Sequence, residues 1–132
     1  MSWLVDTNVL SELVRPRPNA GVDRWCRTQA RLCLSVVTVE EIEYGLSWRP
    51  KPKIQTWWVE FVSDHCVVVP LDAAIAQQAG RLRGQLQAAG VVRTQADMLI
   101  AATASHLGAT LVTRNSADFS GCGIAVFNPF EA

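Results

Sequence analysis

The sequence is short of the residues and motifs that announce most enzyme classes. Its 132 residues include two histidines, His65 and His106, one beside a strand start and one near a helix end, where solvated or capping roles account for both. A Ser-His-Asp triad and a zinc site therefore have no support. No P-loop and no G-x-G-x-x-G follows any strand-like run, so nucleotide-cofactor chemistry is unsupported as well. The formal net charge is zero, and a phosphate-tracking surface, normally visible as a basic excess, must be local if it exists. Lys51 and Lys53 are the only lysines, and the remaining basic residues are arginines, suited to bidentate phosphate or carboxylate contacts. The four cysteines, Cys26, Cys33, Cys66 and Cys122, show no C-x-x-C spacing, and Met1-Ser2-Trp3 runs into a strand with no signal peptide. A reduced, cytoplasmic protein is expected, with Cys33 and Cys66 as small buried apolar residues. No run is long enough to span a membrane, and there is no repeat, low-complexity tract or linker. The expectation is a single domain over residues 1–132 with one core.

What the sequence does have is an apolar run that stops on a carboxylate. Trp3-Leu4-Val5 reads as a short strand buried on both faces, and it ends at Asp6-Thr7-Asn8. In open α/β sheets the crevice outside the carboxyl ends of the strands holds the chemistry. A desolvated carboxylate there needs hydrogen bonds, a counter-charge or a cation.

The rest of the chain alternates between strand and helix signals. Thr7 or Asn8 caps a helix to about residue 14, and a second helix covers residues 22–30. Strand-like runs follow at residues 32–37, 66–70, 110–113 and 124–127. Thr38 with Glu41 forms a capping-box signature for a helix to about Trp48. Further helices are expected over 54–63, from Asp72 to near Gly90, and from Thr94 to Gly108, with a polar turn or short helix over 114–119. Gly80 and Gly84 are read as permitting close helix packing, and of the adjacent Trp57 and Trp58 one is expected to be exposed, either as a partly covered surface residue beside a core one or as part of a subunit or partner interface. This order implies an α/β fold: a three-layer α/β/α sandwich around a mostly parallel five-stranded sheet.

On that frame Asp6 ends the first strand, Glu41 follows the second, Asp97 begins a late helix and Asp118 follows the fourth strand. Each of the last three has an ordinary explanation, as a capping-box partner, a helix N-terminal charge and a turn cap. Convergence outweighs these, because several carboxylates in one cleft repel each other and hold protons unless a cation compensates. Hard oxygen ligands select Mg²⁺ or Mn²⁺, and such ions most naturally serve phosphoryl transfer. Without a glycine-rich cradle, an extended polynucleotide is the expected substrate.

Four segments carry a further signal: residues 4–13 (LVDTNVLSEL), 34–45 (LSVVTVEEIEYG), 96–104 (ADMLIAATA) and 111–119 (LVTRNSADF), with Asn128-Pro129 near the end. In this order and spacing they strongly resemble the PIN-domain toxins of the VapC type, especially the FitB-like branch. The resemblance implies an Mg²⁺-dependent endoribonuclease that is the toxin of a toxin–antitoxin pair. It implies metal-binding acids at Asp6 and Asp97, with Glu41 and Asp118 completing the acidic site. Glu41 is preferred to its neighbour Glu40 because it precedes the segment from Ile42 to Gly45. Asn115 shares or replaces the role of Asp118, and Arg114 is placed to steady a flanking phosphate. A homodimer is implied, inhibited by a cognate antitoxin that alone carries the complex to operator DNA. Two rivals stand beside this reading. One is a non-catalytic module whose acidic cleft docks a partner arginine; the other is a phosphatase using Asp6 as nucleophile, against which Asn8 stands where a second Asp is needed.

Overall fold

The computed structural model describes residues 2–132. Five parallel strands, β1 (Trp3–Val5), β2 (Leu32–Ser35), β3 (Cys66–Val69), β4 (Thr110–Val112) and β5 (Val126–Phe127), form one sheet in the order β3-β2-β1-β4-β5. β1 lies at the centre, pairing with β2 on one side and β4 on the other. The chain thus steps outward to β3 and then returns across β1 to β4, which puts the reversal of strand order at the carboxyl ends of β1 and β4.

Six helices cover the sheet: α1 (Thr7–Leu13), α2 (Ala20–Arg27), α3 (Val36–Trp48), α4 (Pro52–His65), α5 (Ala73–Ala88) and α6 (Gln95–Leu107). Alternation along the strands divides the apolar residues between two faces. Leu4 and Leu111 pack with Ile75 and Ala79 of α5 and Met98 and Ala101 of α6. Val5 and Val112 pack with Val9 and Leu10 of α1, Val22 of α2 and Trp58 of α4. This is the expected three-layer sandwich, with every strand parallel.

Several local expectations are corrected. Asp6, not Thr7 or Asn8, caps α1, its carboxylate accepting the Thr7 N–H at 2.8 Å. β2 stops at Ser35, whose hydroxyl accepts the Val37 N–H and starts α3 three residues before the expected Thr38 cap. Glu41 is therefore free of a capping-box role. At Gly80 and Gly84 an added Cβ would meet nothing within 4 Å, so these glycines do not serve close packing. At Gly21 it would collide with the Pro129 and Ala132 carbonyls, so the bare backbone is what lets the C-terminal 3₁₀ turn lie on α2. Trp58 is buried and donates its indole N–H to Glu43, while Trp57 is half-buried and stacks on Phe61 at 4.7 Å. The tryptophan that stands out in solvent is Trp48, 67% exposed.

All four cysteines are free thiols. Burial pushes the Cys26 thiol up to about 11 and the Cys66 thiol up to about 12, the range of inert packing residues. No helix among the described residues is long and apolar enough to cross a membrane.

Candidate active site

Asp6 is delivered by β1 to the point where the strand order reverses, and it is only 7% exposed. Its Oδ1 accepts the Thr7 N–H, while Oδ2 accepts the Thr113 hydroxyl at 2.8 Å and the Asn8 amide at 3.1 Å. Asn8 is fixed in turn, donating to Thr113 Oγ1 and accepting the Arg114 N–H through Oδ1 at 3.1 Å. Two strand ends are thereby stitched together around one carboxylate. Burial raises the Asp6 pKa above the usual carboxylate range against these hydrogen bonds, and the charge of Glu41 adds to the rise.

Asp97 sits half-buried in the first turn of α6, where Thr94 Oγ1 accepts its backbone N–H at 3.1 Å. Burial raises its pKa too, and the charges of Asp6 and Asp118 push the same way. Glu41, one helical turn into α3, is exposed, and its Oε1 accepts the Thr7 hydroxyl at 2.7 Å. Asp6, Glu41 and Asp97 line one cavity of about 450 Å³, with Arg15, Arg114 and Asn115 around it.

Asp118 departs from this grouping. It lies exposed on the 3₁₀ turn Ser116–Phe119 and contributes nothing to the cavity wall, although its charge reaches Asp97. Asn115 does reach the wall, and its N–H donates to Thr113 Oγ1 at 3.1 Å. The Arg114 guanidinium lies 4.9 Å from the centre of the Phe130 ring, an arrangement that restrains its direction.

The donor chemistry of this cavity fits a hard divalent cation. Its anionic groups are carboxylates alone, and neither of the two ion pairs among the described residues, Arg15–Glu12 and Arg27–Asp23, involves Asp6, Glu41 or Asp97. Among the described residues no group of three histidine, cysteine or acidic side chains is placed to hold a metal ion by itself.

Four residues were missed in the sequence. Thr113 and Asn8 orient Asp6, and Thr7 holds Glu41. The polar triplets that follow β1 and β4 were the available signal. Glu12 is a buried acid on the cavity wall, accepting the Asn19 N–H at 2.8 Å, and nothing local in the sequence marks it. A second, more apolar groove of about 740 Å³ adjoins the cavity, sharing Thr7, Ser11, Arg15 and Glu41 and running past Trp48.

A family model for the PIN domain matches residues 3–121. This chain is a PIN-domain protein. It is 32% identical to the VapC ribonuclease Y4jK of Sinorhizobium fredii, over 97% of both chains. It is 31% identical to the toxin FitB of Neisseria gonorrhoeae, over 97% of this chain and 98% of the relative. Among solved structures, VapBC2 from Rickettsia felis, bound to a DNA fragment from its promoter, superposes with a TM-score of 0.84 at 25% identity, covering 97% of this PIN domain and 98% of the matched chain. The three-layer architecture expected from the strand and helix order is thus the PIN fold.

Proposed function

We propose that this chain is a single PIN domain over residues 1–132 that acts in the cytoplasm as an Mg²⁺- or Mn²⁺-dependent endoribonuclease, the toxin of a type II toxin–antitoxin pair. The observation that carries the reading is the convergence of Asp6, Glu41 and Asp97 on one cavity at the strand-order reversal, without a paired basic side chain. The likeness to a VapC ribonuclease and to the toxin FitB supports the reaction and the biological role.

Asp6 and Asp97 are the residues to hold the cation, Asp6 because its orientation is fixed by three donors and Asp97 because α6 presents it from its first turn. A divalent cation bound there supplies positive charge to the scissile phosphate and acidifies water. Glu41, anchored by Thr7 but open to solvent, accepts the proton of the attacking water, and Asp118 adds its negative charge near Asp97. Arg114 and Asn115 hold the flanking phosphate on the cavity rim. The phosphodiester is cut by in-line attack, with the leaving oxygen departing opposite the water. A homodimer, a cognate antitoxin that blocks the cavity, and operator DNA reached only through that antitoxin complete the proposal, in keeping with the promoter-bound VapBC2 complex.

The test is cleavage of a mixed RNA pool with Mg²⁺, with Mn²⁺ and with EDTA, alongside calorimetric titration with Mn²⁺. Cleavage that requires the ion, with saturable Mn²⁺ binding, is expected. Absence of both overturns the reading and favours the arginine-docking module, which needs no metal. A phosphatase is disfavoured because Asn8, and not a second acid, stands two residues after Asp6 and donates its amide to Asp6 Oδ2. Failure of beryllium fluoride to trap the protein excludes it.

A further inference from the structure

Arg93 immediately precedes Thr94, the cap of α6, and so stands at the base of the helix that presents Asp97. Its half-buried guanidinium reaches across to the segment carrying Asp118. Nη1 donates to the Asp118 carbonyl, Nη2 donates to the Ser120 carbonyl at 2.9 Å, and Nη1 lies 3.9 Å from Cys122 Sγ. Arg93 takes part in neither of the two ion pairs among the described residues, so its donors are directed at a backbone and not at an acid. Cys122 also touches Met98, the fully buried neighbour of Asp97, at 4.0 Å between sulfurs. The turn bearing Asp118 therefore has two links to the start of α6, and the guanidinium makes most of the hydrogen bonds.

We propose that Arg93 is a positioning residue for the ion-binding Asp97: its forked donors tie the turn bearing Asp118 to the start of α6 and so hold in place the helix start that presents Asp97 to the cavity. This inference rests on the ribonuclease reading above. A planar fork with fixed donor directions can bridge two carbonyls of one turn, which a single ammonium cannot do. Side chains that orient metal ligands from behind typically contribute about 10–100-fold in affinity when removed.

The sign of the effect separates positioning from simple charge. Arg93 is a cation near Asp97, so on charge alone its removal should tighten the binding of another cation. Positioning predicts the opposite. The experiment is calorimetric titration of the full chain with Mn²⁺ for wild type, Arg93→Ala, Arg93→Lys and Arg83→Ala, at a temperature where near-ultraviolet circular dichroism shows each to be folded. Arg83 is exposed on α5 and controls for the change in net charge. The expected result is Mn²⁺ binding weakened roughly tenfold in Arg93→Ala, and at least as much in Arg93→Lys, which keeps the repelling charge without the fork. Arg83→Ala should match wild type. Unchanged or tighter Mn²⁺ binding in the Arg93 variants overturns the inference, and if the alanine variant does not fold the lysine variant decides. A wild-type chain that binds no Mn²⁺ overturns the functional reading and this inference together.

Discussion

The four acids fall into two pairs whose surroundings differ in kind. Asp6 and Asp97 are partly or wholly withdrawn from water and held above the usual carboxylate range by that withdrawal, whereas Glu41 and Asp118 stand in solvent on a helix flank and a turn. The inner pair carries a desolvation cost, offset for Asp6 by hydrogen bonds and for Asp97 only in part by the nearby charge of Arg93, while the outer pair stays in water. Acids kept where their charge is costly are suited to bind a cation, and acids kept wet are suited to exchange protons with water.

Neutralising the inner pair should break this contrast most sharply. Asp97→Asn removes repulsion from Asp6 and Asp118, so metal-free thermal stability should be equal or higher while Mg²⁺-dependent cleavage falls on the order of 10³-fold, the scale seen when a strong electrostatic stabiliser of a transition state is lost. A large loss of stability with cleavage intact would restore Asp97 to a capping role. Glu41→Gln should cost less, about 10²-fold in cleavage, with Mn²⁺ affinity nearly unchanged, because it removes an acceptor of protons and not a ligand. Equal loss of metal binding in the two variants would erase the distinction between the pairs.

Smaller still is Thr113→Val, which keeps the shape and removes the hydroxyl that bonds to Asp6. A stability loss of about 1.5–3 kcal/mol is expected from one lost hydrogen bond to a charged group, the Thr7 and Asn8 donors remaining, with a weakening of Mn²⁺ binding of about tenfold. Unaltered Mn²⁺ binding would show that Asp6 needs no orientation from β4. The finest test is pH. A carboxyl whose folded pKa is raised binds more protons when folded than when unfolded, so its contribution to stability falls as pH rises from the ordinary carboxylate value through the raised one. In the metal-free chain the advantage of Asp97→Asn over wild type should therefore grow across that window and level off above it, as melting curves would show. An advantage that shrinks with rising pH would place the inner pair on the other side of the comparison.

Why the inner pair was legible and its supports were not comes down to sequence distance. Asp6 announces itself as the polar stop of an apolar run, and Asp97 as an acid opening an alanine-rich helix. Thr113 is read only as a strand residue until β4 is known to lie beside β1, a pairing that joins positions 107 apart in sequence. The same holds for Arg93, whose partners lie 25 to 29 residues on. Local propensity also misplaced the start of α3, because Ser35 and Thr38 are both good caps and the end of β2 chooses between them. Order along the chain groups Asp118 with the other acids, and the 3₁₀ turn sets it outside the cavity.

The span between Asp6 and Thr113 has a meaning for the cell that makes this protein. Residues leave the ribosome at about 5–20 per second, and Asp6 emerges long before the strand that must settle against it. A nascent chain holding only the first three strands has no complete pocket, since Asp97, Arg114 and Asn115 of its wall come from α6 and the β4 end. The acidic cavity is thus assembled only after β4 has been made and paired with β1.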